Sequence, residues 1–311
     1  MVIDEDAQRR MAANRANWDA RTPIHAASHF YGRNLHHPEN WFADFEWHDL
    51  GDLHDRDLVH LQCHIGTETI ALARRGAHVT GLDFSAASIT EARRIAAAHQ
   101  VQIDYVHADV HDAVTELGTN RFDIVYTGKG ALCYLPDLPT WAAIVHDLLK
   151  PGGLVYIAEF HPLLNALGPK PTVGSDLLLR NDYLSGRGPQ RQDSTHTYTD
   201  GPALNTATVS HEWRHGLGDL INALIGAGLT IRHLTETDAL PWQRWPTMTQ
   251  DTDTWWRLPP ESPRIPLLFG LRATKPEHRL PIDVDHGPHV VGPGIAQLDQ
   301  AEEGMTRKAA T

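Results

Sequence analysis

The pattern of hydrophobic and polar positions changes along the chain. From Asp4 to Trp18 good helix formers predict a helix, and the run from Arg21 to His25, which contains Pro23, is expected to end it. From Asp57 onward, short apolar runs alternate with amphipathic stretches, which is typical of βαβ units and a parallel sheet. The predicted strands are 58–61, 78–82, 103–106, 122–126, 154–157, 229–234 and 267–271, and the predicted helices are 67–75, 86–99, 139–149 and 217–227.

Two stretches interrupt this alternation. Residues 162–214 are rich in Pro, Gly, Asp, Ser and Thr, with one weak strand near Val209. They are too long for a plain loop and predict an insertion with a function of its own. Beyond Lys275 the periodicity fades, and we expect a flexible tail. The predicted organisation is an N-terminal helical segment at 1–56, a sheet domain at 57–275 and a tail at 276–311.

Composition narrows the classes of function. The 311 residues carry a net charge of −12, and 41 % of them are apolar, which is ordinary for a soluble globular protein. The acidic balance argues against nucleic acid as a partner. No run reaches the roughly 18 apolar residues of a membrane span, and the acidic start MVIDEDAQRR shows no secretory signal. We therefore expect a cytoplasmic protein, with homo-oligomerisation left open.

The cysteines and histidines do not form a recognisable pattern of metal ligands. Two cysteines, Cys63 and Cys133, are too few for a zinc cage or a disulfide framework. The 21 histidines include the pair His36-His37, but no spacing of two histidines and a carboxylate is convincing. The sequence predicts no essential metal.

Five short motifs occur in a fixed order between residues 58 and 160. They are a strand and turn, VHLQCHIG; an acid after the second strand, GLD; an acid after the third, HAD; a fourth strand, FDIV; and LLKPGG before the fifth. This ordered set resembles the class I S-adenosylmethionine-dependent methyltransferases, and HLQCHIGTET with GLDFS resembles a bacterial small-molecule subgroup of them. The resemblance covers roughly residues 12–275. It implies a Rossmann-like, seven-stranded, mostly parallel sheet whose last strand is antiparallel.

The turn after the first strand departs from the family pattern. The family commonly has an acid followed by several glycines, and this chain has His60, Gln62 and His64 at those positions and retains Gly66. Glycine allows the backbone to approach a ligand closely, so the departure bears on cofactor binding. The strand–turn–helix arrangement that presents backbone N–H groups is kept, and the departure is usual for the subgroup.

The resemblance implies a cofactor site at the ends of the first four strands. Asp83 is expected to accept both ribose hydroxyls, and Asp109 to accept from the adenine amino group. Phe84 covers the adenine or simply packs in the core, and His64 meets the amino acid end or points outward. The full predicted cofactor set is Gln62, Cys63, His64, Gly66, Asp83, Phe84, Asp109, Val110 and Thr127.

Methyl transfer needs proximity and, for an acceptor that carries a proton, a general base. His161 is the first candidate because it follows the fifth strand, although a structural histidine is the equal alternative. His211 and Tyr31 are further catalytic candidates. His25, Tyr183 and His215 are candidate substrate contacts. By resemblance, residues 1–56 form a lid over the site and residues 162–214 an inserted substrate cap.

The predicted function is methyl transfer from S-adenosylmethionine to oxygen, nitrogen or carbon of a small molecule, plausibly in secondary metabolism, with S-adenosylhomocysteine as product. Two alternatives stay open. One is a methyltransferase fold that catalyses cyclisation or rearrangement, or couples methylation to it. The other is a non-catalytic cofactor-binding module, which the altered turn would favour. Fold alone does not decide between them.

Overall fold

The computed structural model describes residues 3–32, 35–167, 177–250 and 255–277. The predicted tail at 276–311 lies outside these ranges except for its first two residues. No helix in the described ranges is long and apolar enough to span a membrane.

Seven strands form the central sheet, in the spatial order β3-β2-β1-β4-β5-β12-β8. Five neighbouring strands run parallel, and β12 pairs antiparallel with both β5 and β8. The predicted seven-stranded, mostly parallel sheet is confirmed, including its antiparallel last strand. The bounds are β1 Asp57–Leu61, β2 His78–Asp83, β3 Asp104–His107, β4 Phe122–Thr127, β5 Leu149–Phe160, β8 Thr230–Thr237 and β12 Leu268–Thr274.

Helices cover both faces of this sheet. Their bounds are α1 Glu5–Ala27, α2 His29–Gly32, α3 Asp44–Leu50, α4 Thr67–Arg74, α5 Ala86–Ala98, α6 Ala113–Leu117, α7 Leu138–Leu148, α8 Pro162–Ala166 and α9 Leu217–Gly226. On one face α7 buries Trp141, Val145 and Leu148 at helical spacing, and α9 packs beside it. On the other face α3 and α4 cover Leu58, Ile124 and neighbouring residues. The sheet is therefore buried on both sides, as its apolar strands require.

The helix α1 continues through the predicted break. It runs without interruption to Ala27 and contains Pro23, which lacks the N–H that would bond to the preceding turn. Arg21, Thr22 and His25 around this proline are all buried, and the Thr22 hydroxyl lies 2.8 Å from the Ser88 hydroxyl on α5. Packing of these side chains stabilises the last turns beyond what propensity predicts, so the prediction of a break at residues 21–25 is wrong.

The insertion and its surroundings contain short elements. In residues 162–214, β6 Gln190–Asp193 and β7 Val209–Glu212 form an antiparallel pair, so the weak strand predicted near Val209 is present. A small sheet after β8 was not predicted: β9 Ala239–Leu240, β10 Thr249–Gln250 and β11 Trp256–Arg257. Leu240 of β9 and Trp245, which lies between β9 and β10, belong to a separate apolar cluster near α8.

Candidate functional site

The turn between β1 and α4 replaces two glycines by residues in the same left-handed backbone region. Gln62 has φ 58° and His64 has φ 49°, conformations that non-glycine residues seldom adopt. Each side chain makes a bond that glycine could not make. Gln62 donates to the Ala131 carbonyl after β4 at 3.0 Å, and His64 Nδ1 lies 3.0 Å from the Ser88 hydroxyl. These contacts hold the turn against its neighbours and offset part of the backbone cost.

Gly66, the glycine that is retained, has a steric reason to be there. Its φ is 75°, and a Cβ at this position would overlap the Tyr105 hydroxyl and come within 3.3 Å of Ala92. Gly66 immediately precedes α4, whose first N–H groups have no partner within the helix. The close packing of Tyr105 and α5 against Gly66 therefore fixes where those N–H groups lie.

Asp83 ends β2 and ties together the two turns that surround it. Its Oδ2 accepts from the His64 backbone N–H and its Oδ1 from the Ser85 N–H, each at 2.9 Å. Burial raises the pKa of Asp83 to about 6, although these two donors oppose the rise. A carboxylate oxygen has more than one lone-pair direction, so both oxygens retain acceptor capacity toward a ligand.

Asp109 and His111 form a second polar pair after β3. Asp109 Oδ1 accepts from the His111 backbone N–H at 3.1 Å and lies 2.7 Å from His111 Nδ1, and its Oδ2 accepts from Arg15 at 3.2 Å. Burial alone would raise the pKa of Asp109, but these donors outweigh it and hold the pKa below its usual value. With Nδ1 facing the carboxylate, His111 Nε2 is a buried acceptor with no partner among the described residues.

These turns open into one cavity at the carboxyl ends of β1–β4. Its empty volume is about 860 Å³, including the part that opens to solvent. Seven of the nine predicted cofactor residues and the predicted catalytic Tyr31 line it. The lining residues are Met11, Trp18, Tyr31, His60, Gln62, Cys63, His64, Thr67, Glu68, Leu82, Asp83, Phe84, Asp109, Val110, His111, Gly128, Lys129, Gly130, Ala131, Tyr134, Leu135 and Tyr198.

Two predicted cofactor residues lie just behind this lining. Gly66 supports the turn, as described above. Thr127 ends β4 fully buried, and its hydroxyl has no hydrogen-bond partner among the residues that the structure describes. The next three residues, Gly128, Lys129 and Gly130, line the cavity in its place. A Cβ on Gly128 would come within 3.3 Å of the Glu68 carboxylate and 3.4 Å of His60 Nε2, so a small residue is needed there.

His25, a predicted substrate contact, lies behind the cavity wall and supports His64. Its Nδ1 is 2.9 Å from His64 Nε2, and the side chain is fully buried. Burial lowers the pKa of His25 to about 2 and that of His64 to about 3, and the charge of Arg21 adds to both effects. The two imidazoles are therefore neutral at pH 7, and the N–H group of one donates a hydrogen bond to the ring nitrogen of the other.

The other predicted histidines lie away from the cavity. His161 accepts from the Leu163 N–H through Nδ1, as the cap of α8, and its Nε2 lies 2.9 Å from Glu236. Burial lowers the pKa of His161, and Glu236 opposes that effect. His211 lies in β7, where its backbone bonds to Asn14 of α1. The structure does not bring either side chain to the β1–β4 ends.

Tyr183 and His215 line a second cavity that meets the first at Gly130. Part of its wall is aromatic and aliphatic, with Phe160 and Trp213 among its members, and Glu159, Asp182 and Arg214 also line it. His215 Nε2 lies 2.8 Å from the Leu135 carbonyl, and burial lowers the pKa of His215. The buried Glu159 closes the junction and accepts N–H bonds from Gly130, Ala131 and Leu132. The two predicted substrate contacts thus share one pocket beside the main cavity.

Lys129, Glu46 and Glu68 form a polar group at one end of the main cavity, which the sequence patterns did not indicate. Lys129 Nζ lies 2.8 Å from the fully buried Glu46 and 3.8 Å from Glu68. Burial raises the pKa of Glu68, and Lys129 counters this only in part. His60 stands beside them, and burial lowers its pKa to about 3. The only sequence signal was position, because Glu68 opens α4 and Lys129 follows β4.

The outer wall of the cavity comes from outside the region of ordered motifs. Met11, Trp18 and Tyr31 belong to α1 and α2, and Tyr198 belongs to the insertion. The Tyr31 and Tyr198 hydroxyls are 2.5 Å apart, which joins two segments 167 positions apart in the sequence. No local pattern marks Tyr198, because its contact depends on the tertiary arrangement.

Comparison with known proteins finds relatives for part of the chain. Residues 59–153 match the family model described as a methyltransferase domain. A relative named ubiquinone biosynthesis O-methyltransferase, from Chelativorans sp., is 32 % identical over 123 residues, which are 40 % of this chain and 47 % of the relative. The chain therefore spans about half the length of the curated relatives it matches.

Solved structures extend the likeness to most of the chain. An S-adenosylmethionine-dependent methyltransferase from Mesorhizobium loti superposes with a TM-score of 0.53 at 23 % identity, over 74 % of this chain and 95 % of that one. A methyltransferase from Methanosarcina mazei gives 0.50 at 16 % identity, over 76 % and 99 %. At these identities the likeness shows the fold. Residues 59–153 are therefore similar to a methyltransferase domain, and the chain shares the fold of these S-adenosylmethionine-dependent methyltransferases.

Proposed function

We propose that this protein transfers a methyl group from S-adenosylmethionine to a small-molecule acceptor, with an acceptor oxygen favoured by the similarity to a ubiquinone biosynthesis O-methyltransferase. The observation that carries the proposal is the buried carboxylate of Asp83 at the end of β2, facing the cavity with acceptor capacity on both oxygens. Vicinal ribose hydroxyls are donors that such a carboxylate accepts at the same place in dinucleotide-binding folds.

The remaining cavity residues fit the rest of the cofactor. His111 Nε2, which has no hydrogen-bond partner in the described part of the chain, suits the adenine amino group, with Val110 and Phe84 against the ring. Glu68 and Lys129 lie at the opposite end, toward β4, and suit the amino acid end. When bound, S-adenosylmethionine supplies a methyl group on a positively charged sulfur, and the carboxylates of Glu68, Asp83 and Asp109 favour a cation in this cavity.

The second cavity is the proposed acceptor site. It adjoins the cofactor cavity at Gly130, and Tyr183 and His215 contribute to it. Its apolar wall, with Phe160 and Trp213, suits a flat molecule. In this proposal the segment 1–56 acts as the lid of the cofactor cavity, and the insertion 162–214 is the cap over the acceptor. Enclosure on both sides aligns donor and acceptor for in-line displacement and excludes water.

A hydroxyl acceptor must also lose its proton. Glu68 lines the cofactor cavity and is not among the residues of the acceptor cavity, so its proposed role is to bind the amino acid end of the cofactor. Tyr31 lines the same cavity, but burial raises the pKa of its hydroxyl well above 10. At neutral pH Tyr31 therefore acts as a hydrogen-bond donor that orients a ligand.

Calorimetric titration with S-adenosylmethionine and S-adenosylhomocysteine tests the cofactor site. We expect micromolar binding to the wild type and a loss of about 10- to 100-fold in Asp83→Ala, the effect of losing charge-assisted hydrogen bonds. Asp104→Ala, at the opposite end of the neighbouring strand, is the control and retains wild-type affinity. Folded wild-type protein that binds neither ligand would contradict the proposal. Mass spectrometry of phenolic acceptors incubated with enzyme and cofactor then seeks the added methyl group.

A further inference from the structure

Arg21 of α1 is a buried cation without a counter-charge among the residues that the structure describes. Only 8 % of the residue is exposed. Its Nε has no hydrogen bond, and its one contact of note within the described ranges is with the Trp18 ring, whose centroid lies 5.4 Å from the guanidinium carbon. A buried charge without a counter-charge or hydrogen bonds is unfavourable, so such a group in a folded protein requires an explanation.

The surroundings of Arg21 belong to the cofactor cavity. Trp18, which it contacts, lines that cavity. Burial lowers the pKa of His64 and the positive charge of Arg21 lowers it further; burial raises the pKa of Tyr134 and Tyr198, and Arg21 opposes that rise. All three residues line the cavity. Arg21 thus lies directly behind lining residues such as Trp18 and is not itself one of the residues that line the cavity, and no carboxylate of the described residues pairs with it.

Other buried charges near the cavity are matched within the protein. Lys129 pairs with Glu46 at 2.8 Å, and Asp83 accepts two backbone N–H bonds. Glu159 accepts four backbone N–H bonds, the longest of them 3.0 Å. Arg21 differs from these because its five N–H donors have no acceptor in the described part of the chain. The missing counter-charge is therefore expected to come from a bound molecule.

We propose that Arg21 binds the carboxylate of a molecule held in the cavity, an inference that rests on the proposed function. A guanidinium fork matches the planar, singly charged carboxylate. A phosphate dianion is disfavoured because Glu68, Asp83 and Asp109 line the same cavity. Two ligands can bring a carboxylate here: the amino acid end of the cofactor, or a flat aromatic acid that serves as methyl acceptor.

Arg21→Gln tests the inference, and Arg9→Gln is its matched control on the same helix, since Arg9 is exposed and paired with Glu5 and Asp6. In the absence of ligand we expect Arg21→Gln to melt at or above the wild-type temperature, because an unpaired buried charge has been removed. A melting temperature several degrees lower would assign Arg21 a structural role and overturn the inference.

Binding identifies the source of the carboxylate. If the cofactor supplies it, Arg21→Gln weakens S-adenosylhomocysteine by about 10- to 100-fold and leaves 5′-methylthioadenosine, which lacks the amino acid end, within twofold of wild type. If the acceptor supplies it, Arg21→Gln binds S-adenosylhomocysteine normally. In that case wild-type protein binds benzoate more tightly than benzamide, and the variant loses this preference. The benzoate titrations are run with and without S-adenosylhomocysteine.

Equal behaviour of wild type and Arg21→Gln toward all four probes would overturn the inference while leaving the proposed function intact. Wild-type protein that binds neither nucleoside would instead contradict the proposed function. The benzoate–benzamide comparison without nucleoside still decides the role of Arg21 in that event, since a preference that depends on Arg21 supports an anion site and its absence counts against one.

Discussion

Three buried histidines give the protein a pH dependence at the level of single residues. Burial lowers the pKa of His25 to about 2 and those of His60 and His64 to about 3. Each is neutral in the folded state and has a hydrogen-bonding neighbour: His60 Nδ1 lies 2.9 Å from the Thr69 hydroxyl, and His25 and His64 face each other. In the unfolded chain all three would titrate near pH 6.5.

We expect the free energy of unfolding to fall as the pH is lowered from 6.5 toward 3. In this range the three histidines bind protons in the unfolded state and remain neutral in the folded state. Each histidine contributes up to about 1.4 kcal/mol per pH unit. Asp83 opposes this between about pH 4 and 6, since its raised pKa makes the folded state bind a proton there.

Urea denaturation at pH 7.5, 6.5 and 5.5 measures this dependence. The His60→Asn variant lacks one of the titrating groups, so its unfolding free energy should depend less steeply on pH. His48 is exposed, and His48→Asn is the control. A slope that is unchanged in His60→Asn would contradict the assignment of His60 as a neutral buried group.

The residues that the sequence located are those that follow a strand. Asp83 and Asp109 were placed because a parallel sheet gathers the ends of its strands, and both line the cavity. Arg21 and Tyr198 were missed because their contacts depend on which distant segments pack over the sheet. His161 also follows a strand, but its side chain turns back to cap α8, a local geometry that strand position does not reveal.

At the level of elements, α1 is held by buried asparagines. Asn14 donates to the His211 carbonyl at 2.8 Å and accepts the His211 N–H at 2.7 Å, and Asn17 donates to the Ala207 carbonyl. Asn14 is completely buried. A primary amide thus replaces a strand partner along the edge of β7, which couples α1 to the insertion.

We expect Asn14→Ala to lower the free energy of unfolding by about 1–3 kcal/mol, because it leaves the N–H and C=O of His211 without partners. Asn222→Ala, on the exposed side of α9, is the matched control and changes stability little. Thermal or urea unfolding gives the energies, and faster amide exchange in β7 locates the effect. A variant as stable as wild type would show that water replaces the amide.

The seven strands and the longer helices were predictable because their apolar periodicity reports burial directly. The passage of α1 through Pro23 was not, since the loss from one missing hydrogen bond is offset by packing of Arg21, Thr22 and His25. The pair β6–β7 was visible only as a weak strand near Val209. Its polar residues pair across the chain without entering the main core.

At the level of the whole molecule, the cavity proposed to hold the cofactor is assembled from parts far apart in the sequence. Its inner surface comes from the ends of β1–β4, and its outer wall from α1, α2 and Tyr198. Hydrogen bonds join the N-terminal helices to the insertion: Tyr31 and Tyr198 are 167 positions apart in the sequence, and Asn14 and His211 are 197 positions apart. A ligand that touches both surfaces links the stability of these segments.

We expect S-adenosylhomocysteine to slow amide hydrogen exchange in α1, in the β1–α4 turn and around Tyr198 together, because one ligand contacts all three. Exchange in α9, on the far side of the sheet, serves as the internal control. Protection confined to residues 59–153 would mean that the outer wall does not take part in binding.

The placement of β12 has a consequence for synthesis on the ribosome. β12 lies between β5 and β8, so neither of those strands acquires this neighbour until residues 268–274 have emerged. Until then the growing chain displays the open edge of β5, with buried residues such as Ile157 and Ala158 along it. An open apolar edge is the kind of surface on which nascent chains aggregate. Translation pauses before residue 268 are therefore the interval in which this protein most needs a chaperone.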